Sequence, residues 1–359
     1  MKVLFLSNHR KNYNGADQHR IEKLSEGLNK YGVNTKILYM QTEKNSFFHQ
    51  LLSMILSINE IKKWNPDFIH AYTYISVILL SRLFDSKKII YDFQGLRSHE
   101  ILLCPGKLRK IKARFVSYLE MLAVRYAGIC VTVSEKLAEI LIKRGKSKDG
   151  VFIIRNGVDV NLFVPKKRQI YSNIFRVGYA GGFQSWQAID MLIEASKRLS
   201  NHKNLIWRLI GFTEKQKKIK DKINSVNNSN FELYNYCDRN KLVELLGACD
   251  VLIIPRDKNR ATEVAFPTKF AEYLALGRPI IVNNVDETAN FIKQYKCGFV
   301  VETPIEFVNL IRTLMYMPKE KLDEIGQKAR ELALNKFKWE NICKEYLDIL
   351  YFNSQDKYY

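Results

Sequence analysis

The chain is poor in acid for the base it carries. Its 359 residues hold 57 Lys/Arg against 37 Asp/Glu, a net charge of +20. Such an excess steers a protein toward anionic partners: nucleic acid, phosphorylated small molecules or anionic lipid. Both halves share it, with 26 against 14 in residues 1–165 and 31 against 23 in the rest. Cysteine is sparse as well. The six thiols (104, 130, 237, 249, 297 and 343) form no CxxC pair and have no Cys/His spacing suited to zinc, which argues against a disulfide scaffold and a structural zinc site. Reduced, buried thiols and a cytoplasmic location are expected. Long apolar runs are missing: FFHQLLSMIL and YTYISVILLSRLF are too short and interrupted to span a bilayer. MKVLFLSNHR lacks the apolar length and the cleavage site of a secretory signal. There is no internal repeat and no low-complexity segment. A GxGxxG fingerprint is absent, which counts against a dinucleotide cofactor. No recognised nucleic-acid motif appears, so specific nucleic-acid binding is the weaker reading of the charge.

What is present is an ordinary globular composition, 47% hydrophobic and 26% charged. The length exceeds one comfortable core, so two domains are expected. Strand and helix alternate through KVLFLS, NTKILYM, DFIHAY, KKIIYDF, GICVTVS and VFIIRNGVD. A polar, basic, proline-containing linker at 161–173 follows, and the alternation restarts with FRVGYAG, LIWRLIG, FELYN, DVLIIPR, PIIVNN and GFVVE. Short apolar strands separated by helices imply an α/β fold in which each half is a doubly wound parallel sheet. The boundaries read as 1–165, 166–336 and a closing amphipathic helix, 337–359, which must bury its apolar face.

In open α/β sheets ligands bind beyond the carboxyl ends of strands, where helix N-termini offer unpaired N–H groups and partial positive charge. Asn14-Gly15 follows the first strand, and Asp92, Gln94 and Gly95 close another; a plain turn and strand-end capping are the ordinary explanations of both. In GYAGGF, Gly181-Gly182 allows close approach of backbone to ligand, or simply a tight turn. FPTKFAEYLALGRPII (266–281) carries more. Pro267 suits the first turn of a helix. The amides of Thr268 and Lys269 would then face an anion, with the Lys269 ammonium adding charge. Glu272 could accept two hydroxyls of a sugar ring, although a Lys269–Glu272 surface pair explains the same letters.

The segment 104–126, CPGKLRKIKARFVSYLEMLAVRY, places Leu108, Ile111, Phe115, Leu119 and Leu122 in one helical stripe flanked by Lys107, Arg109, Lys110, Lys112, Arg114 and Arg125, against a single acid, Glu120. A helix packing that stripe on its sheet with a solvated basic face is the plain reading. Contact of 107–125 with an anionic membrane surface is the sharper one.

The order of these pieces resembles the GT-B glycosyltransferases, specifically those of glycosyltransferase family 4 (group 1 glycosyltransferases). NGADQHRIEKLSEGL looks like the glycine loop and first helix of that family, and GICVTVSEKL (with Ser134) and IIRNGVDVNLFVP like the end of its first domain. GYAGGFQSWQAIDMLIEA, ACDVLIIPR and FPTKFAEYLALGRPIIV resemble its donor-binding domain, and KFKWENICKEYLDILY its closing helix.

The resemblance implies two Rossmann-like domains facing a cleft, acceptor side first and donor side second, with the last helix crossing back onto the first domain. It implies transfer of a hexosyl-type sugar from a nucleotide-diphosphate donor to a glycan or lipid-linked acceptor, with retention of anomeric configuration. Capsule, O-antigen or lipopolysaccharide assembly would be the setting, at the inner face of the cytoplasmic membrane. A nucleotide-sugar epimerase of the same fold is the alternative. By resemblance the donor site comprises Gly15, Gly181, Gly182, Arg256, Thr268, Lys269 and Glu272. Glu272 matches the second glutamate of the E-x7-E motif, which holds the ribose, while Val264 stands where the first would be. Gly182 and Gln187 occupy the usual places of two diphosphate-contacting cations, so Lys269 and Arg256 are expected to replace them. Gln94 replaces a histidine near the sugar, which makes Asp92 the acidic candidate beside Lys269 as catalytic residue; Asn156, in the NGVD segment, lines the cleft. No DxD motif occurs, so no obligatory metal and no cofactor beyond the nucleotide sugar are expected.

Overall fold

The computed structural model describes residues 1–7, 15–39, 47–166, 173–226 and 230–355. Asn14 and positions 167–172 of the expected linker lie outside the described residues. By compactness the chain falls into two units: residues 1–157 with 264–266 and the C-terminal segment from Trp339, and residues 158–263 with 267–338.

The first unit is built on β1 (Lys2–Ser7), β2 (Asn34–Tyr39), β3 (Phe68–Ala71), β4 (Ile89–Phe93), β5 (Ile129–Thr132) and β6 (Val151–Ile153). All pair in parallel, in the order β2-β1-β3-β4-β5-β6. The runs VLFL and FIHA are buried on both faces, as parallel strands under two helical layers must be. The helix Trp339–Gln355 supplies part of one layer. Its Ile342, Tyr346 and Leu350 join Ile21, Leu24 and Leu28 of the helix Ala16–Lys30 in one core. The two helices approach closely at Gly27, where a Cβ would come within 2.1 Å of Cys343 Sγ.

The second unit contains β7 (Phe175–Ala180), β8 (Leu205–Phe212), β9 (Phe231–Asn235), β10 (Val251–Ile254), β11 (Ile280–Asn283) and β12 (Gly298–Val301). It is again wholly parallel, in the order β12-β11-β10-β7-β8-β9. Chain direction across the sheet reverses between β7 and β10, and the crevice beyond their carboxyl ends is the expected ligand position in such a sheet.

Two local expectations need correction. Pro267 is the N-cap (φ −68°, ψ 127°) and not a residue of the first turn; the helix runs Thr268–Ala275. A short helix, Arg260–Val264, precedes it. The basic helix runs Arg109–Tyr126 behind a separate helix, Arg97–Leu103, and it does not bury the stripe assigned to it. Its inward face is Ala113, Val116, Glu120, Ala123 and Val124, while Leu108, Ile111, Phe115 and Tyr118 are 70%, 67%, 56% and 54% exposed.

Candidate functional site

In the second unit the site residues gather beyond β7 and β10. β7 ends in Ala180, and Gly181 then turns with φ +139°, a conformation that favours glycine. A Cβ at Gly181 would stand 2.6 Å from Lys269 Nζ. The Tyr179 hydroxyl donates to the carbonyl of Gly182, closing the loop. The helix Thr268–Ala275 is fixed against this turn by Tyr273, whose hydroxyl accepts from the Ala180 N–H at 2.7 Å and donates to the Ala180 carbonyl at 3.3 Å. At its start Phe270 N–H bonds to the Pro267 carbonyl at 3.0 Å, while the first N–H groups of any helix have no intrahelical acceptor. The amides of Thr268 and Lys269 are in that position.

Lys269 is the unusual group. Its Nζ is buried without a hydrogen-bond partner and lies 4.3 Å from the centroid of the Tyr179 ring. Burial pushes its pKa down to about 7, repulsion from Arg256 adds to that, and Glu272 opposes it. A lone buried ammonium is costly unless paired, and the usual response is loss of the proton. Glu272, one turn along, is not paired with Lys269. Its carboxylate meets Arg239 Nη1 at 3.3 Å, and burial raises its pKa against the pull of Arg239 and Lys269.

Arg256, expected as a diphosphate ligand, is engaged elsewhere: Nη1 holds Asp286 Oδ2 at 2.8 Å, and its own N–H donates to Asn283 Oδ1 at 3.0 Å. Its Nε, also buried, has no partner. Its charge also acts on Lys269 through space. Val264 is buried, and its carbonyl accepts from the Ser134 hydroxyl, which also caps the helix Glu135–Lys143.

In the first unit Asp92 closes β4 and is fully buried. Arg20 Nε reaches Oδ2 at 2.8 Å and Nη2 reaches Oδ1 at 3.3 Å; His70 Nε2 and Gln94 Nε2 lie 3.1 and 3.0 Å from Oδ2. Burial opposes ionisation, but Arg20 and the His70 hydrogen bond prevail and hold the carboxyl well below the usual carboxylate range. Asp92, the expected acidic candidate, is thus a buried anion held by Arg20, His70 and Gln94. Arg20 Nη1 also donates to Asn156 Oδ1 at 3.2 Å, and His70 Nδ1 lies 2.7 Å from the Tyr346 hydroxyl. Asp92, Gln94 and Asn156 therefore meet, but around Arg20. Gly15 caps the helix that carries Arg20, with φ −85°, open to any residue. Among the described residues no group of three or more His, Cys, Asp or Glu is placed to hold a metal.

Sequence reasoning missed Arg20, His70, Arg239 and Tyr273. A charged residue beside Ile21 and Leu24 on the buried helix face could have flagged Arg20, and a histidine inside FIHA could have flagged His70. Nothing local marks Arg239 or Tyr273.

Comparison with known proteins accords with this geometry. Residues 20–162 match the family model Glycosyltransferase Family 4, and residues 162–332 match Glycosyl transferases group 1. TuaH of Bacillus subtilis (strain 168), which carries the name of a teichuronic acid biosynthesis glycosyltransferase, is 22% identical over 245 residues, 66% of this chain and 61% of its own length. The sucrose-phosphate synthase of Thermosynechococcus elongatus superposes with a TM-score of 0.79 at 16% identity, over 99% of this chain and 100% of that one. HepE of Anabaena, solved with UDP and glucose, gives 0.73 at 17% identity, over 98% and 100%. On the two family models, which together run almost from end to end, the chain belongs to the group 1, family 4-type glycosyltransferases and has their GT-B fold.

Proposed function

We propose that the protein transfers a hexosyl-type sugar from a nucleoside-diphosphate sugar to a hydroxyl of a glycan or lipid-linked acceptor, retaining the anomeric configuration and needing no metal, in the assembly of a surface polysaccharide such as capsule or lipopolysaccharide. The observation that carries this reading is the buried Lys269 Nζ without a hydrogen-bond partner, beside Gly181 and in the first turn of its own helix. A diphosphate there would accept from the Thr268 and Lys269 amides and from Nζ, and would supply the counter-charge that Nζ lacks. Glu272, oriented by Arg239, would hold the ribose hydroxyls. The UDP bound to HepE, a protein of the same fold, and the name of TuaH support donor class and setting respectively.

Breaking the sugar–phosphate bond leaves negative charge on the diphosphate. Amides and an ammonium already in place stabilise that charge as it develops, each by roughly 2–4 kcal/mol at comparable oxyanion sites. The saturation of Asp92 fits a mechanism in which the departing phosphate oxygen, and no protein carboxylate, takes the acceptor's proton. Thermal-shift titration with UDP, GDP, ADP and CMP without metal tests the site. One nucleoside diphosphate should raise Tm in the wild type and fail to do so in Glu272→Ala. No shift with any of the four would refute the donor-site assignment.

A further inference from the structure

The outward face of the helix Arg109–Tyr126 is the feature that glycosyl transfer leaves unused. Four large apolar side chains, Leu108, Ile111, Phe115 and Tyr118, stand at helical spacing and are each more than half exposed. Single exposed apolar residues are common, but an ordered stripe rimmed by charge marks an interaction surface. The rim is of one sign. Lys107, Arg109, Lys110, Lys112 and Arg114 are all exposed, whereas the only acid of the segment, Glu120, is buried. There it accepts from the Ser98 hydroxyl at 2.9 Å and from Arg144 Nη2 at 3.1 Å. The helix is therefore held by small inward residues and an internal ion pair, and its large apolar groups and its cations are both left outside.

The helices before it continue the pattern. Arg109–Tyr126 packs on Tyr74–Leu80, which packs on Phe47–Trp64, and Leu52, Ile55 and Leu56 of that last helix are exposed as well.

We infer that this helical layer is a docking surface for an anionic phospholipid bilayer, with Leu108, Ile111, Phe115 and Tyr118 entering the headgroup–acyl boundary and the flanking lysines and arginines meeting lipid phosphates. An apolar stripe bordered by cations is the pattern of helices that lie in the interface plane, and each cation near an anionic surface strengthens adsorption severalfold. A protein partner or a second copy would cover the stripe equally well, but neither accounts for a rim with no acid in it. The inference sharpens the membrane contact expected for 107–125 and is independent of the donor-site reading.

The test is flotation of the full chain with vesicles of phosphatidylcholine alone and with about a third phosphatidylglycerol, at low and high salt, for the wild type, I111S/F115S and K110E/K112E. The wild type should bind the anionic vesicles and not the neutral ones. The apolar pair should lower the partition coefficient about tenfold or more with unchanged Tm and unchanged UDP-induced shift, and the charge pair should do the same at low salt. Absence of flotation with anionic vesicles, or flotation indifferent to I111S/F115S, would overturn the proposal. So would a concentration-dependent dimer in sedimentation that I111S/F115S abolishes, which would assign the stripe to a second copy.

Discussion

Lys269 Nζ is buried with no hydrogen-bond partner, and two predictions follow from its chemistry. In the ligand-free protein its pKa is about 7 against 10.5 for the free side chain. The unfolded chain therefore binds the extra proton between those values, so this group makes stability rise with pH from about 7 and level off near 10. Lys269→Met should abolish that slope in urea melts at pH 6.5, 7.5 and 8.5. It should also stabilise the unliganded protein by about 1–3 kcal/mol at the lowest pH, since a well-packed apolar residue replaces a lone buried charge. A bound diphosphate favours the ammonium, so nucleotide binding at pH 8 should take up close to one proton. Calorimetry in two buffers of different ionisation enthalpy measures that uptake, and Lys269→Met should remove it together with most of the affinity.

The same scale shows how far a local reading reaches. Thr268, Lys269 and Glu272 were legible because one helical turn carries all three, and Gly181 because its place after a strand is a sequence fact. The setting of Asp92 was not legible, for the opposite reason. Its partners Arg20, His70 and, through His70, Tyr346 lie as far as 276 positions apart along the chain, and no window of sequence brings them together. An acid at a strand end looks available until its donors are seen.

At the scale of the element, the helix Arg109–Tyr126 holds two apolar stripes of the same period. Periodicity finds both and cannot rank them; choosing the larger side chains picked the wrong one. Packing decides otherwise, because Ala113, Val116 and Ala123 let this helix lie close to Arg97–Leu103 and Tyr74–Leu80, where Phe115 would not fit. Adjacent substitutions should therefore behave oppositely. Val116→Asp buries an unpaired carboxylate and should destabilise by about 3 kcal/mol or more. Phe115→Asp should stay within about 0.5 kcal/mol of wild type, as surface changes do. Urea denaturation of the two variants distinguishes the faces without any lipid present.

At the scale of the whole molecule the two parallel sheets were readable from alternating strands and helices, since a strand buried on both faces must be apolar throughout. Strand order was not readable, because it depends on pairing between segments that local sequence does not rank. Removal of the chain after Lys338 tests the architecture. Ile342, Tyr346 and Leu350 leave the core that they share with Ile21 and Leu24, at about 2–5 kcal/mol for each large apolar side chain lost. The truncated protein should lose the first unit's cooperative transition, read as rapid proteolysis of residues 1–157, while the second unit stays resistant.

The place of that last helix also dictates a schedule. It leaves the ribosome after both sheets, yet it completes the unit whose strands emerge first. Residues 158–338 must be synthesised in between, which at roughly 5–20 residues per second takes on the order of ten seconds or more. Throughout that interval the nascent first sheet waits with Ile21, Leu24 and Leu28 uncovered, a client for chaperones, while the younger half is free to fold ahead of the older one.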